Sequence, residues 1–169
     1  MNLTSIKPMR YIFLMACIFC ATTVLFAQKK EAKIIKPGKD NTISLHALTA
    51  KISGTEIAYM PEWKALGWFR ADGVAEWHVA VGKSGKYDVF LEWSVSDEEA
   101  GKGFLLLAGD EKLTGKVAKS GSWETFKKVK IGQMSLKKGT THFVFKPEKN
   151  FGEGALLDLR EIILVPVKN

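Results

Sequence analysis

Residues 75–81 and 87–95 alternate apolar and polar positions with a period of two. Ala75, Trp77, Val79 and Val81 fall on one side against Glu76 and His78, and Tyr87, Val89, Leu91, Trp93 and Val95 against Asp88, Glu92 and Ser94. This is the pattern of a strand with one face in a core and the other in water. With Gly82 to Gly85 as a turn between them, the two runs are expected to form a hairpin. Residues 104–108 are a short continuous apolar run that stops at Gly109-Asp110, a turn dipeptide, before a further strand through Leu113 and Val117. Strand signals recur at 126–131, 141–146 and 155–165, punctuated by Gly139 and Pro147, and residues 43–52 read as the opening strand.

In the last run Leu157, Leu159, Ile163 and Val165 share one phase, which Glu161 breaks; a bulge or burial on both faces would explain this. No window keeps a helical period for long, and no repeat at about 20–50 residues is visible. About eight strands parted by Gly-rich turns predict an all-β, antiparallel sandwich. The domain is expected over residues 42–169, preceded by a basic linker at 28–41 with five lysines around Ile34-Ile35 and Pro37-Gly38.

Composition adds a compartment. The chain has 169 residues, 46% of them hydrophobic, enough for one domain with a packed core. Lys7 and Arg10, the apolar run 11–26 and Ala27 before Gln28 form an export signal over residues 1–27. The run of 16 residues is shorter than a membrane span, so export to the periplasm or outside the cell is expected, without an anchor. Leu14-Met15-Ala16-Cys17 gives a lipoprotein site at Cys17 as the minor alternative. Cleavage after Ala27 removes both cysteines, Cys17 and Cys20, and with them disulfides and thiol catalysis. The net charge of +7 makes anionic partners a reasonable subset, while export argues against nucleic acid.

Little in the exported part could carry a reaction. His46, His78 and His142 are far apart, with no second ligand at metal-binding spacing. Asp97-Glu98-Glu99 and Asp110-Glu111 lie in turn-like sequence, where solvation and capping are their first duty. A paired-carboxylate glycosidase would need two of them across a cleft, about 5–10 Å apart. Gly101-Lys102-Gly103 is not a phosphate loop, because no Lys-Ser or Lys-Thr follows. Lys116, Lys119, Lys127, Lys128, Lys130, Lys137 and Lys138 could form an anion-binding surface or a solvated sheet edge guarded against aggregation.

Tryptophan is more informative. Trp77 and Trp93 fit the apolar phase of their strands and belong to the core. Trp68, in Leu66-Gly67-Trp68-Phe69-Arg70, and Trp123, in Ser120-Gly121-Ser122-Trp123, fall in connections, where an indole either packs beneath its loop or faces a ligand. A flat indole matches the apolar C–H face of a sugar ring.

Taken in order, Gly73-Val74-Ala75-Glu76-Trp77-His78-Val79, Ser84-Gly85-Lys86-Tyr87-Asp88-Val89, Ser120-Gly121-Ser122-Trp123-Glu124-Thr125-Phe126, Leu136-Lys137-Lys138-Gly139-Thr140-Thr141-His142 and Leu157-Asp158-Leu159-Arg160-Glu161-Ile162 resemble a known pattern. It is that of the galactose-binding-like, jelly-roll β-sandwich of carbohydrate-binding modules of families six and thirty-five. Leu45-His46-Ala47, Ala50-Lys51-Ile52-Ser53-Gly54 and Leu66-Gly67-Trp68-Phe69 are similar to modules appended to secreted bacterial sulfatases and glycoside hydrolases, of which this chain would be a free-standing version.

The resemblance implies a sugar cleft between loops at one end of the sandwich. Trp123 matches one aromatic there, with Trp68 and Phe69 as the second wall. The better-known modules carry an asparagine in the loop before the last strand; this chain has Gly152-Glu153-Gly154. The resemblance also implies a structural calcium, for which Asp158 is the one matching ligand; His46 and Leu48 at the first-strand positions are poor ligands for a hard cation, so no cofactor is expected.

The expectation is therefore a secreted, non-catalytic module that binds a glycan through Trp68, Phe69 and Trp123, with Arg70, Glu76 or nearby lysines as polar partners, alongside a carbohydrate-active enzyme partner. A structural or protein-interaction domain is the alternative, with a polysaccharide hydrolase or lyase third.

Overall fold

The computed structural model describes residues 34–168. The export signal at 1–27, the Cys17 site and the start of the linker lie outside the described residues. Twelve strands follow in order: β1 (Ile34–Ile35), β2 (Ile43–His46), β3 (Lys51–Ser53), β4 (Ala58–Met60), β5 (Ala65–Gly67), β6 (Val74–Val81), β7 (Gly85–Ser94), β8 (Gly103–Ala108), β9 (Glu111–Lys116), β10 (Lys127–Leu136), β11 (Gly139–Pro147) and β12 (Asp158–Pro166). One six-stranded sheet runs β1-β6-β11-β8-β9 with β3 also on β6; the other runs β10-β7-β12-β5-β4 with β2 also on β12. Among the described residues only the β1–β6 ladder is parallel, so the all-β, antiparallel sandwich expected from the sequence is the fold.

Alternation decides which face of each strand is inside. Ala75, Trp77, Val79 and Val81 of β6 meet Tyr87, Val89, Leu91 and Trp93 of β7 in one core that also holds Phe104, Phe143 and Phe145. Phe145 stacks on Phe104 with ring centres 5.6 Å apart and takes the edge of Phe69 at 5.7 Å. Burying such a side chain is worth roughly 1.5–3 kcal/mol, which is why these positions, once alternating, fix the register.

Three expectations change and one open alternative is settled. The strands number twelve, not about eight, because β1, β4 and β5 are only two or three residues long, too short to show a period. The run 43–52 is two strands: β2 lies on β12, a 3-10 turn at Ala47–Thr49 breaks it, and β3 crosses to β6 in the other sheet. β6 and β7 do not form a hairpin. They lie in different sheets and face each other across the core, an arrangement with the same alternation as a hairpin. In β12 the register slips between Leu159 and Glu161, so Ile162 and Leu164 point inward and Val165 outward. The bulge, not two-sided burial, accounts for the broken phase.

The stretch read as a linker also joins the fold from Ile34 onward. Ile34 and Ile35 pair with His78 and Val79, and the chain then turns at Gly38, whose N–H donates to the Thr42 carbonyl at 2.8 Å.

The connections divide by end. Residues 82–84, 109–110 and 137–138 turn tightly at one end, whereas the other end carries 54–57, 68–73, 95–102, 117–126 and 148–157. The long loops surround a region where aromatic and charged side chains from several connections converge.

Candidate functional site

The first wall begins where β5 ends. Gly67 lies under the Met60 side chain and beside the Asp158 carboxyl; a Cβ there would stand 3.1 Å from Asp158 Oδ1 and overlap Met60. Trp68 then adopts φ 53°, a left-handed conformation rare for a bulky residue. The Arg70 N–H donates to the Trp68 carbonyl at 2.8 Å, and the Leu156 N–H to the Phe69 carbonyl at 2.7 Å. The kink sends neighbouring side chains apart. Phe69 is at 0% exposure against Phe145, and Trp68 is 56% exposed. The Arg70 guanidinium stands 5.6 Å from the Trp68 ring centre and is held by Glu56, to which its Nε and Nη2 donate at 3.0 and 2.9 Å.

The second wall is the loop 117–126. Trp93 Nε1 donates to the Ala118 carbonyl at 3.0 Å, and buried Ser94 Oγ donates to the Trp123 carbonyl at 2.6 Å. Ser120, also buried, accepts the Val95 N–H and donates to the Val95 carbonyl, both at 2.8 Å. Four bonds thus pin the backbone while the half-buried Trp123 ring packs against the edge of the core. Beyond it, Arg160 on the β12 bulge lies 3.4 Å over the Phe126 ring centre and donates to the Trp63 carbonyl, tying this loop to the turn before β5.

Between these walls is a cavity of about 350 Å³ lined by Met60, Trp68, Arg70, Glu99, Trp123, Ala155 and Asp158. Glu99 is ion-paired with Lys102, whose ammonium also donates to the Ala155 carbonyl at 2.9 Å. Burial and the nearby Arg70 push the Lys102 pKa down. Asp158 has no hydrogen-bond or ion-pair partner among the described residues. Burial, with the charge of Glu124 behind it, pushes its carboxyl up to about 7. A second, wider cavity of about 720 Å³ shares Arg70 and runs on past Glu56, Asp72, Asn150 and Gly152 to Gly154.

The structure therefore brings Trp68, Arg70 and Trp123 together and separates the other two expected site residues. Phe69 is a core residue, because successive side chains leave the kinked backbone in opposite directions. Glu76 lies on the outer face of β6, paired with Lys51 at 3.4 Å and His142 at 3.2 Å. Met60, Glu99 and Asp158 are lining residues that sequence reasoning did not assign to the cleft. Asp158 had a signal, as an acid at the head of an apolar strand; Glu99 was hidden in a turn-like acidic run, and Met60 had none. Gly152-Glu153-Gly154 does border the second cavity, together with Asn150, whose Oδ1 accepts the Gly152 N–H at 2.9 Å.

The residues do not assemble the donor set of the calcium site. His46 stands opposite Glu161 and pairs with it at 3.0 Å, Leu48 is exposed, and Asp158 instead faces the cavity. The lysines of β10 are also elsewhere. Lys128 pairs with Glu92 at 3.2 Å and Lys130 with Asp88 at 2.7 Å on the outer face of the second sheet.

With this geometry in hand, the chain can be set beside solved structures. A family 35 carbohydrate-binding module from Clostridium thermocellum superposes with a TM-score of 0.61 at 13% identity, over 75% of this chain and 98% of that one. The C-terminal family 6 module of LamC, a marine laminarinase from Zobellia galactanivorans, gives 0.60 at 15% identity, over 74% and 99%. The fold is that of these galactose-binding-like modules. An exo-β-1,3-galactanase from Phanerochaete chrysosporium gives 0.59 at 17% identity over 73% of this chain, which spans only 29% of that enzyme. No protein-family model matches the sequence, and no curated protein matches it. At these identities the likeness speaks for the fold, and the site has to speak for the function.

Proposed function

We propose that the chain is an exported, non-catalytic glycan-binding module, working beside carbohydrate-active enzymes, whose site is the cavity between Trp68 and Trp123. The observation that carries this reading is the pairing of two indoles from separate loops across one cavity with a carboxyl that no group among the described residues engages. An exposed ring held by a left-handed kink contributes little to a core, whereas a sugar offers it a flat C–H face. Arg70, Glu99 and Asp158 supply the donors and acceptors that would orient the hydroxyl rim. The solved modules of this fold support the class of ligand. The net positive charge favours an anionic glycan, but Lys128 and Lys130 spend theirs on Glu92 and Asp88.

The test is binding of the purified protein to a panel of polysaccharides by calorimetry. Trp68→Ala and Trp123→Ala are each expected to weaken binding about 5- to 100-fold, taking the roughly 1–3 kcal/mol of a nucleobase stacked on an aromatic face as the guide for a flat sugar face, with the fold intact by circular dichroism. Unchanged affinity in both variants would overturn the site.

The hydrolase reading gains one observation, the raised Asp158 carboxyl, which would suit a general acid. Release of reducing ends by the same preparation, abolished in Asp158→Asn, would replace binding by catalysis.

A further inference from the structure

We propose that the cavity selects a glycan bearing a free amine, with the ammonium of a hexosamine unit seated on the Asp158 carboxylate between the two indoles. This rests on the glycan-binding reading above and specifies its ligand, against the expectation that overall charge sets.

The cations around the cavity are already spent on other groups. The chain carries +7 overall, yet the lining cation Arg70 is held by Glu56 through two nitrogens, and Lys102, which reaches the wall through Glu99 and the Ala155 carbonyl, is held by Glu99. Elsewhere Glu92 is held by Arg160 and Lys128, Asp88 by Lys130, and Glu76 by Lys51. Asp158 is the carboxylate that faces the cavity with no cation and no donor among the described residues, and Glu124 adds a second negative charge to its field.

An anionic sugar entering here meets the Asp158 carboxyl with the negative charge of Glu124 behind it, and no unpaired cation among the described lining residues. A neutral sugar can satisfy Asp158 with a hydroxyl. A protonated amine satisfies it with a charge-assisted hydrogen bond, the stronger contact. The walls favour the same choice, because an indole face attracts a cation and Trp68 already takes the Arg70 guanidinium on its ring. The cavity, at about 350 Å³, lies at the small end of ligand sites. N-acetylation of the amine would remove the charge and add bulk in the same place.

The experiment uses the whole protein and four probes of equal length: oligomers of glucosamine, of N-acetylglucosamine, of glucose and of galacturonate, titrated calorimetrically in low salt at pH 7, where the Asp158 carboxyl is about half ionised. The glucosamine oligomer is expected to bind at least tenfold more tightly than the other three. Asp158→Asn is expected to erase that preference, so that the glucosamine and glucose oligomers bind within threefold of each other. Thermal melting of Asp158→Asn reports that it is folded. A galacturonate oligomer that binds as well as the glucosamine oligomer overturns the inference, and so does a preference that survives Asp158→Asn. Binding of the neutral oligomers that Trp123→Ala abolishes, with no preference for the amine, sinks this inference and leaves the glycan-binding reading standing. Failure of all four probes overturns the inference, while the polysaccharide panel tests the broader reading by itself.

Discussion

Trp77 and Trp93 sit on central strands, are each 2% exposed, and donate their indole N–H groups to the carbonyls of His46 and Ala118 at 3.0 Å. Trp68 and Trp123 sit on loops at one end of the sandwich, and neither indole N–H has an acceptor among the described residues. The first pair meets both demands of a buried indole, an apolar surround for the ring and a partner for the nitrogen. The second pair has walls but no partners. What is fixed in the loop pair is the backbone: Ser94 holds the Trp123 carbonyl, and the Arg70 N–H holds that of Trp68. A chain that pins the backbone of an aromatic residue and leaves the ring edge free is arranging that ring for something outside itself.

The sharpest way to break this comparison is to remove one ring of each kind. Trp77→Ala empties the middle of the core and takes one of its donors from the His46 carbonyl, which keeps the Thr49 hydroxyl, so a loss of about 3–5 kcal/mol in unfolding free energy is expected. Trp68→Ala is expected within about 1 kcal/mol of wild type, because an exposed ring loses little burial and the left-handed backbone is strained in either case. Urea denaturation of the two variants measures the gap. Equal losses would make Trp68 a structural residue and remove the main reason for a ligand there.

A smaller effect separates pinning from packing. Ser94 is fully buried, and its hydroxyl is what holds the Trp123 carbonyl. Ser94→Ala leaves that carbonyl unsatisfied and is expected to cost about 1–3 kcal/mol. It should also weaken glycan binding severalfold, although Ser94 does not line the cavity. Loss of stability without loss of affinity would show that the loop keeps the ring in place by other means.

How far the sequence carries depends on whether a feature leaves a period. β6 and β7 alternate over eight and ten residues, so their faces and their core tryptophans were readable. Their pairing was not, because facing across a core and lying side by side impose the same alternation. β4 and β5 have three residues each, less than two periods, and were invisible. At the site, Trp68 and Trp123 stood out as aromatics among glycines. Whether Phe69 shares the groove turns on one backbone angle at Trp68, and no composition reports that. Glu76 followed its strand's polar phase to the outer face, where the phase itself should have sent it. Asp158 marks the further limit: the residue was noticed, but the surroundings that shape its chemistry come from Met60, Trp123 and Glu124, distant in sequence.

The smallest effect compares two carboxylates on adjoining strands. Asp158, raised to about 7 by burial and by Glu124, keeps its proton in the folded protein where the unfolded chain has released it. It therefore contributes stability at acid pH that is lost as pH rises from about 4 through 7, after which the loss levels off. Allowing for solvent screening of a group that is only partly buried, the change is on the order of 1 kcal/mol. Asp88 has the opposite sign. Hydrogen bonds from Lys130 and Gln133 hold its carboxyl below the ordinary range, so its contribution is present at neutral pH and lost on acidification through the lowered value. Asp158→Asn should then match wild type in melting temperature near pH 4 and exceed it near pH 8, whereas Asp88→Asn should fall below wild type near pH 8 and approach it in strong acid. If both substitutions shift melting in the same direction at pH 8, Asp158 has a cation partner after all, and the groove does not differ from the sheet faces in the way that makes it a binding site.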